Sequence, residues 1–224
     1  MKTGKERASS TRSMKQRVAR ILPKLHQAMP NAAVELDHHN PLQLLIATIL
    51  SAQCTDRRVN QVTPTLFRRY PEAADYAKAD PGELETIIMP TGFYKSKARS
   101  LIGSGKMLLE RFGGKVPRTM EELVQLPGVG RKTANVLLGH CFDQPAIVVD
   151  THVKRVAHRL GLTGSEAPEI IEQELQGVIP REQWTSGSEL LLLHGRYVCV
   201  AKRPKCEQCA IYTECPWEGK RPRC

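Results

Sequence analysis

The chain has 224 residues, a hydrophobic fraction of 41% and a net charge of +10. This length suits one large domain or two small ones, and no apolar run approaches the eighteen residues of a membrane span. The charge lies at the ends of the chain, with +7 over residues 1–24, +4 over 196–224 and −1 over the 171 residues between. Basic ends on a near-neutral body favour a polyanionic partner, although for residues 1–13 alone a solubilising tail is the favoured interpretation. The N-terminus lacks the apolar segment of a secretory signal, so an intracellular protein is expected.

Apolar residues recur at helical spacing along most of the chain, which predicts an all-α protein of about ten short helices. Residues 1–13 lack this periodicity and are predicted to be disordered. The helix before Leu50 is apolar on most faces and is placed in the core. Helices are predicted up to about Met29, from Asn40-Pro41 to Leu50, after Thr55, after Asp80-Pro81, over Ser96–Phe112, after the capping box Thr119–Glu122, from about Arg131, after Asp150, and over Pro168–Gln176 and Arg181–His194.

The stretch from Leu126 to Asp150 combines a tight turn, a helix and an acidic residue. Gly128 and Gly130 permit a positive φ or a close backbone approach. The helix that follows presents unpaired N–H groups at the positive end of its dipole, a setting that suits a phosphate. Lys132 lies in its first turn, where the dipole and partial burial would favour the neutral, nucleophilic amine. A short glycine motif is weak, however, and an ordinary loop with a surface lysine has the same pattern.

Four of the seven cysteines fall within seventeen residues, in the pattern C-x6-C-x2-C-x5-C. With no export signal, this cluster favours a metal site over a disulfide framework. The spacing is compatible with a [4Fe–4S] cluster, with zinc, or with unligated structural cysteines. Three cations between the first two cysteines suit a phosphate contact. The four cysteines are Cys199, Cys206, Cys209 and Cys215, and the three cations are Lys202, Arg203 and Lys205.

Four motifs together resemble the endonuclease III family, base excision DNA glycosylases of the helix-hairpin-helix superfamily. They are ILSAQCTD from Ile49, TGFYKSKA from Thr91, LPGVGRKTANVLL from Leu126 and VDTHVKR from Val149, followed by the cysteine pattern. The resemblance covers roughly residues 15–217. It implies a six-helix barrel lobe over residues 35–144, with the helix-hairpin-helix at about 119–140. It also implies a lobe with a [4Fe–4S] cluster, formed by residues 14–34 and 145–224, and DNA binding across the groove between the lobes.

Residue by residue, the resemblance implies that Lys132 is the nucleophile and Asp150 the essential carboxylate. It also implies that Gln53 replaces the extruded base and that Gly128, Val129, Gly130 and Arg131 form the phosphate-binding hairpin. Phe93 stands where many relatives carry a smaller aliphatic wedge. At Asp150 a helix N-cap is the commoner role, and one carboxylate can serve both purposes. His152 is expected either to contact DNA or to lie on a helix surface.

The expected function is a monomeric, bifunctional DNA glycosylase and abasic-site lyase associated with DNA. It would act on duplex DNA that contains oxidised pyrimidines or abasic sites. The first alternative is a monofunctional glycosylase, but such enzymes with a similar hairpin usually lack the lysine. The second alternative is a non-catalytic DNA-binding protein with the cluster as scaffold or redox sensor, which leaves Lys132 and Asp150 without a purpose.

Overall fold

The computed structural model describes residues 4–222, with side chains from residue 12 onward, and divides into two compact units. One unit spans residues 34–144, and the other comprises residues 1–33 and 145–224. Within the described residues the secondary structure is entirely helical, as predicted. No helix there is both long and apolar enough to cross a membrane. The α-helices are α1 Gly4–Ala28, α2 Pro41–Leu50, α3 Asp56–Arg69, α4 Ala73–Ala77, α5 Pro81–Ile88, α6 Tyr94–Phe112, α7 Met120–Leu123, α8 Arg131–Cys141, α9 Thr151–Arg159, α10 Pro168–Val178 and α11 Trp184–Tyr197.

The unit of residues 34–144 is organised around α2 and α6. Every residue of α2 from Leu44 to Leu50 is buried, which confirms its predicted place in the core. Burial of each large aliphatic side chain contributes about 1.5–3 kcal/mol. Helix α6 packs against α2, α4 and α5, and Gly105 lets α4 approach closely, because an added Cβ would lie 2.7 Å from the Ala77 nitrogen. The unit has seven α-helices where the resemblance implied a six-helix barrel, and two of the seven, α4 and α7, are only five and four residues long.

Local capping signals set the helix starts as predicted. Asn40, Thr55, Asp80 and Thr119 each accept a hydrogen bond from the backbone N–H three residues later. A cap of this kind satisfies one of the unpaired donors at a helix start and contributes about 1 kcal/mol. The starts of these four helices therefore follow from single polar side chains that are visible in the sequence.

The second unit packs α1, α9, α10 and α11 around one apolar cluster that includes Leu25, Val156 and Leu191. Glu214 ties α1 to the C-terminal segment, because its two carboxylate oxygens accept from Arg20 Nε at 3.0 Å and Lys24 Nζ at 2.9 Å. Between α8 and α9, residues 145–150 form no regular secondary structure. Ala146 N donates to the Thr185 hydroxyl at 3.2 Å in this stretch.

Helix α1 corrects one expectation at the N-terminus. It begins at Gly4, so the predicted disorder of residues 1–13 is wrong for residues 4–13, while Met1–Thr3 lie outside the described residues. This part of the chain contains good helix formers such as Lys5, Glu6 and Ala8. Hydrophobic periodicity detects only helices with a packed apolar face, and residues 4–13 have no such pattern.

Candidate active site

The turn between α7 and α8 packs against α6 and is hydrogen-bonded to it. Ser104 on α6 donates its hydroxyl to the Pro127 carbonyl at 2.9 Å. Gly128 has φ +82°, and an added Cβ would lie 2.8 Å from the Ser100 Cβ. Gly128 is therefore required both for its left-handed backbone and for its contact with α6. The Val129 side chain is buried and its N–H donates to the Leu126 carbonyl at 3.0 Å, so Val129 shapes the turn from inside.

Helix α8 begins on the open side of this turn. Gly130 is its N-cap, with an extended backbone and no atom within 4 Å of an added Cβ. The free protein therefore does not require glycine at residue 130, and the open space is available to a ligand. Arg131 and Lys132 are exposed in the first turn of the helix. The partial burial of Lys132 expected from the sequence is thus absent from the structure, because its side chain extends from the first turn into solvent.

Gln53 and Phe93 lie on two other turns of the same unit, and both have left-handed backbones. Gln53 is exposed with φ +55°, and Phe93 is 71% exposed with φ +49°. A left-handed conformation at a residue with a side chain costs on the order of 1–3 kcal/mol and is concentrated at functional sites. Arg203 shares this feature with φ +55°. Three predicted DNA contacts thus have a conformation that only one other non-glycine residue, Asp143, adopts in the described part of the chain.

Asp150 belongs to the other unit and caps helix α9. Its Oδ1 accepts from His152 N and Val153 N, each at 2.8 Å, which confirms the cap. Both bonds are made by one oxygen, and the side chain is half-buried. The two bonds hold the carboxylate in a fixed orientation, and Oδ2 makes no hydrogen bond to any described residue that would compete with a ligand.

His152 is half-buried in the first turn of α9 and is not simply a surface residue. Its Nδ1 lies 3.1 Å from Arg155 Nη2. Because a guanidinium only donates, this contact makes Nδ1 an acceptor and places the ring proton on Nε2. Arg155 also donates to the carbonyls of Gly195 and Cys199, at 2.7 and 3.0 Å. The same arginine therefore positions His152 and fixes the start of the cysteine loop.

The four clustered cysteines line one cavity, together with Arg159, His194 and Trp217. Burial, reinforced by the neighbouring thiols of Cys199, Cys215 and Cys206, raises the pKa of Cys209 to about 11. Within residues 12–222 no three His, Cys, Asp or Glu side chains are grouped as ligands of a single ion. Four thiols around a shared space are a donor set that suits a metal centre, since cysteine thiolates ligate both zinc and iron–sulfur clusters.

Two residues that the motifs did not reveal complete the wall of this cavity. Arg159 Nη1 donates to the Cys199 sulfur at 3.2 Å, and its guanidinium carbon lies 4.1 Å from the centroid of Trp217. His194 Nε2 lies 3.7 Å from the Cys209 sulfur, and burial lowers the pKa of His194 to about 4. Arg159 therefore supplies a cation beside the thiols, while His194 is a neutral neighbour. The three loop cations Lys202, Arg203 and Lys205 are exposed.

The structure thus distributes the predicted residues over both units. The hairpin, Lys132, Gln53 and Phe93 belong to residues 34–144, whereas Asp150, His152 and the cysteine loop belong to the other unit. Sequence reasoning missed Lys97, a buried lysine on α6 between the two left-handed turns. Lys97 lies within the motif that begins at Thr91, but nothing in the sequence distinguishes this lysine from its neighbour Lys95 as the buried one.

The chain matches a family model described as "HhH-GPD superfamily base excision DNA repair protein" over residues 46–181. It therefore belongs to the helix-hairpin-helix superfamily of base excision DNA repair proteins. Endonuclease III of Synechocystis is 50% identical over 205 residues, which cover 91% of this chain and 94% of that protein. Endonuclease III of Bacillus subtilis is 43% identical, with coverage of 90% and 93%. Within the superfamily, the chain is a member of the endonuclease III family, which confirms the resemblance seen in the motifs.

A solved structure of a non-covalent endonuclease III–DNA complex shares the fold. It is 43% identical to this chain and has a TM-score of 0.86, with coverage of 90% of this chain and 95% of that chain. The similarity extends over both units, so the two-lobed helix-hairpin-helix glycosylase fold is shown for this chain.

Proposed function

We propose that this protein excises oxidised or ring-reduced pyrimidines, such as thymine glycol, from duplex DNA with Lys132 as nucleophile. Membership of the endonuclease III family makes the chain a DNA glycosylase and abasic-site lyase of base excision repair. The observation that carries the assignment of the nucleophile is the exposed lysine in the first turn of α8, directly behind the glycine turn. A solved structure of a trapped endonuclease III–DNA covalent intermediate, which is 43% identical to this chain, supports a covalent route in that protein.

The target base is stacked inside the duplex, so its nucleotide must first be extruded. The neutral amine of Lys132 then attacks C1′ of the sugar. The bond between C1′ and the base nitrogen breaks, and the base leaves with the electron pair and takes up a proton. The nitrogen then loses one proton, and its lone pair breaks the bond between C1′ and the ring oxygen. The ring oxygen takes up a proton, which leaves a protonated Schiff base between Lys132 and the opened sugar. Loss of a proton from C2′ then expels the 3′ phosphate by β-elimination. This covalent route divides one difficult step into easier ones.

Asp150 and the turn before α8 supply the electrostatic part of the proposal. The Asp150 carboxylate is fixed through Oδ1 by two backbone N–H groups, which leaves Oδ2 to stabilise positive charge that develops on the sugar. The backbone N–H groups at the start of α8 lie at the positive end of the helix dipole and suit a DNA phosphate, and the absence of a Cβ at Gly130 permits the phosphate to approach closely. The exposed cations Lys202, Arg203 and Lys205 provide further phosphate contacts, while His152 faces the DNA beside Asp150.

The assignment of the nucleophile is tested by trapping the Schiff base. Borohydride added during turnover is expected to cross-link the wild type to lesion-bearing DNA. Lys132→Gln is expected to abolish both the cross-link and strand cleavage yet to retain binding. Asp150→Asn keeps an oxygen for the α9 cap, so it should slow the single-turnover rate far more than it weakens binding. Persistent trapping in Lys132→Gln would assign the nucleophile to another residue.

The cysteine cavity is proposed to hold a [4Fe–4S] cluster ligated by Cys199, Cys206, Cys209 and Cys215. Such a group would brace the loop that carries the three cations, because this loop has little apolar content of its own. The pure protein is expected to be yellow-brown, with about four irons per chain, as a [4Fe–4S] cluster requires. Serine at any of the four cysteines should lower the iron content, whereas Cys54→Ser and Cys141→Ser should leave it unchanged. A colourless protein with one zinc would contradict the cluster assignment.

A further inference from the structure

Lys97 is a buried lysine, 5% exposed, on the face of α6 that points into the unit of residues 34–144. Its Nζ donates to two backbone carbonyls, Leu50 O and Thr91 O, each at 2.8 Å. Burial of an ammonium group is costly unless it is well bonded. Burial accordingly lowers the pKa of Lys97, opposed by the nearby Cys54. These two short bonds to carbonyls are the only hydrogen bonds of the Lys97 ammonium group among the described residues.

The two carbonyls belong to the segments that carry the two left-handed residues. Leu50 is the last residue of α2, three residues before Gln53. Thr91 ends the short 3₁₀ helix of Met89–Thr91, two residues before Phe93. Carbonyls at the C-terminal end of a helix have no partner inside the helix and lie at the negative end of its dipole. An ammonium group there supplies both the missing hydrogen bond and a favourable charge. The Lys97 side chain is therefore hydrogen-bonded to the residues that lead into both turns.

We propose that Lys97 is a positioning residue that holds the Gln53 and Phe93 turns in register, so that both side chains can enter the duplex together. The inference rests on the proposed function, in which Gln53 fills the space of the extruded base and Phe93 wedges between base steps. Each turn has a strained backbone that persists only if its surroundings impose it. The bonds from Lys97 supply that restraint to both turns at once, and their loss releases both turns together.

The first experiment examines the turns without DNA. Lys97→Met keeps the length and apolar stem of the side chain and removes its donors. Hydrogen exchange is expected to accelerate in peptides that cover residues 51–55 and 91–95. Thr48→Val is the matched control, because the buried Thr48 hydroxyl on α2 donates to the Leu44 carbonyl and not to a carbonyl of either turn. Equal exchange at both turns in Lys97→Met and the wild type would overturn the proposal, as would the same acceleration in Thr48→Val.

The second experiment links the restraint to DNA through a thermodynamic cycle. Lys97→Met, Phe93→Ala and the double variant are titrated with lesion-bearing duplex in the Lys132→Gln background. If Lys97 acts through the turns, each single change should weaken binding about tenfold or more, and the loss in the double variant should be smaller than the product of the two single losses, because only the part that passes through the Gln53 turn remains. Losses that multiply in the double variant would show that Lys97 does not act through Phe93. Lys97→Gln retains two amide donors and should restore part of the affinity, and it substitutes if Lys97→Met fails to fold.

The outcome is separable from that of the proposed function. Borohydride trapping of the wild type on preformed abasic DNA tests the lysine chemistry alone, whatever the state of the two turns. Failure to trap would refute the proposed nucleophile and leave the exchange result of Lys97→Met intact. Successful trapping together with unchanged exchange would refute only the role of Lys97.

Discussion

Phe93 offers the sharpest test of how this protein holds DNA open, because its effects on stability and on binding should separate. The side chain is 71% exposed, so truncation removes little buried surface. Its backbone lies at φ +49° and ψ +27°, which glycine adopts without strain. Relief of that strain in Phe93→Gly, about 1 kcal/mol, is offset by the greater freedom of glycine in the unfolded chain, about 0.4–1 kcal/mol. The free energy of unfolding should therefore change by less than about 1 kcal/mol in Phe93→Gly and Phe93→Ala.

Binding to damaged DNA should respond much more strongly. A base stacked on an aromatic ring contributes about 1–3 kcal/mol, which corresponds to a loss of roughly five- to 150-fold in affinity when the ring is removed. Fluorescence anisotropy in the Lys132→Gln background, at fixed salt, measures this loss with lesion-bearing and undamaged duplex. The loss should be largest for the lesion duplex, since only extrusion opens the gap that the ring fills.

Met89 provides the matched control, because it is an exposed apolar residue in the adjoining 3₁₀ turn, 56% exposed. Its backbone is not left-handed, and no motif assigns it to DNA. Met89→Ala should therefore bind lesion DNA within about twofold of the wild type. If Phe93→Ala instead lowers the melting temperature sharply and leaves binding intact, Phe93 is a packing residue and the wedge assignment fails.

Two further predictions concern the hairpin and a surface ion pair. Gly128→Ala places a Cβ 2.8 Å from the Ser100 Cβ at a residue with φ +82°, so it should lower the free energy of unfolding. The added Cβ of Gly130→Ala meets no protein atom, so this variant should weaken DNA binding at unchanged stability. Equal losses of stability for the two variants in thermal melts would contradict this division. Arg69 holds the pKa of Glu83 below its ordinary 4.5 through bonds of 2.6 and 2.9 Å. That stabilisation is present above pH 4.5 and is lost as the pH falls through the lowered pKa. Glu83→Gln should therefore be less stable than wild type at pH 7, and denaturant titrations should show the difference shrinking below pH 4.5.

The elements that sequence reasoning predicted well are those with local causes. The caps at Asn40, Thr55, Asp80 and Asp150 each depend on a side chain and an N–H group two or three residues away. The burial of α2 follows from an apolar sequence on nearly all faces. In such cases the pattern and the physical interaction occupy the same few residues, so the pattern is sufficient.

The errors and omissions have causes that lie outside the local pattern. Helix α1 begins at Gly4, but its first residues have no hydrophobic periodicity by which the sequence could have indicated a helix. The exposure of Lys132 depends on how α8 leaves the turn, which a short glycine motif does not specify. Arg155 and Arg159 bond to carbonyls some forty residues away, so no spacing near α9 indicates their role beside the cysteine loop.

Helix α6 shows why the site needs more than its motifs. Lys97, Ser100 and Ser104 are spaced at i, i+3 and i+7, so they lie on one face of the helix. Lys97 donates to the carbonyls of Leu50 and Thr91, which precede the Gln53 and Phe93 turns. Ser100 packs closely against Gly128, and Ser104 donates to the Pro127 carbonyl. Each of the three motifs of this unit that are proposed to touch DNA thus depends on the same rigid helix for its local geometry. Lys97 and Ser104 of α6 bond to backbone carbonyls and not to side chains of the turns. The exposed side chain at residue 93 can therefore differ in size among relatives without disturbing the turn that carries it.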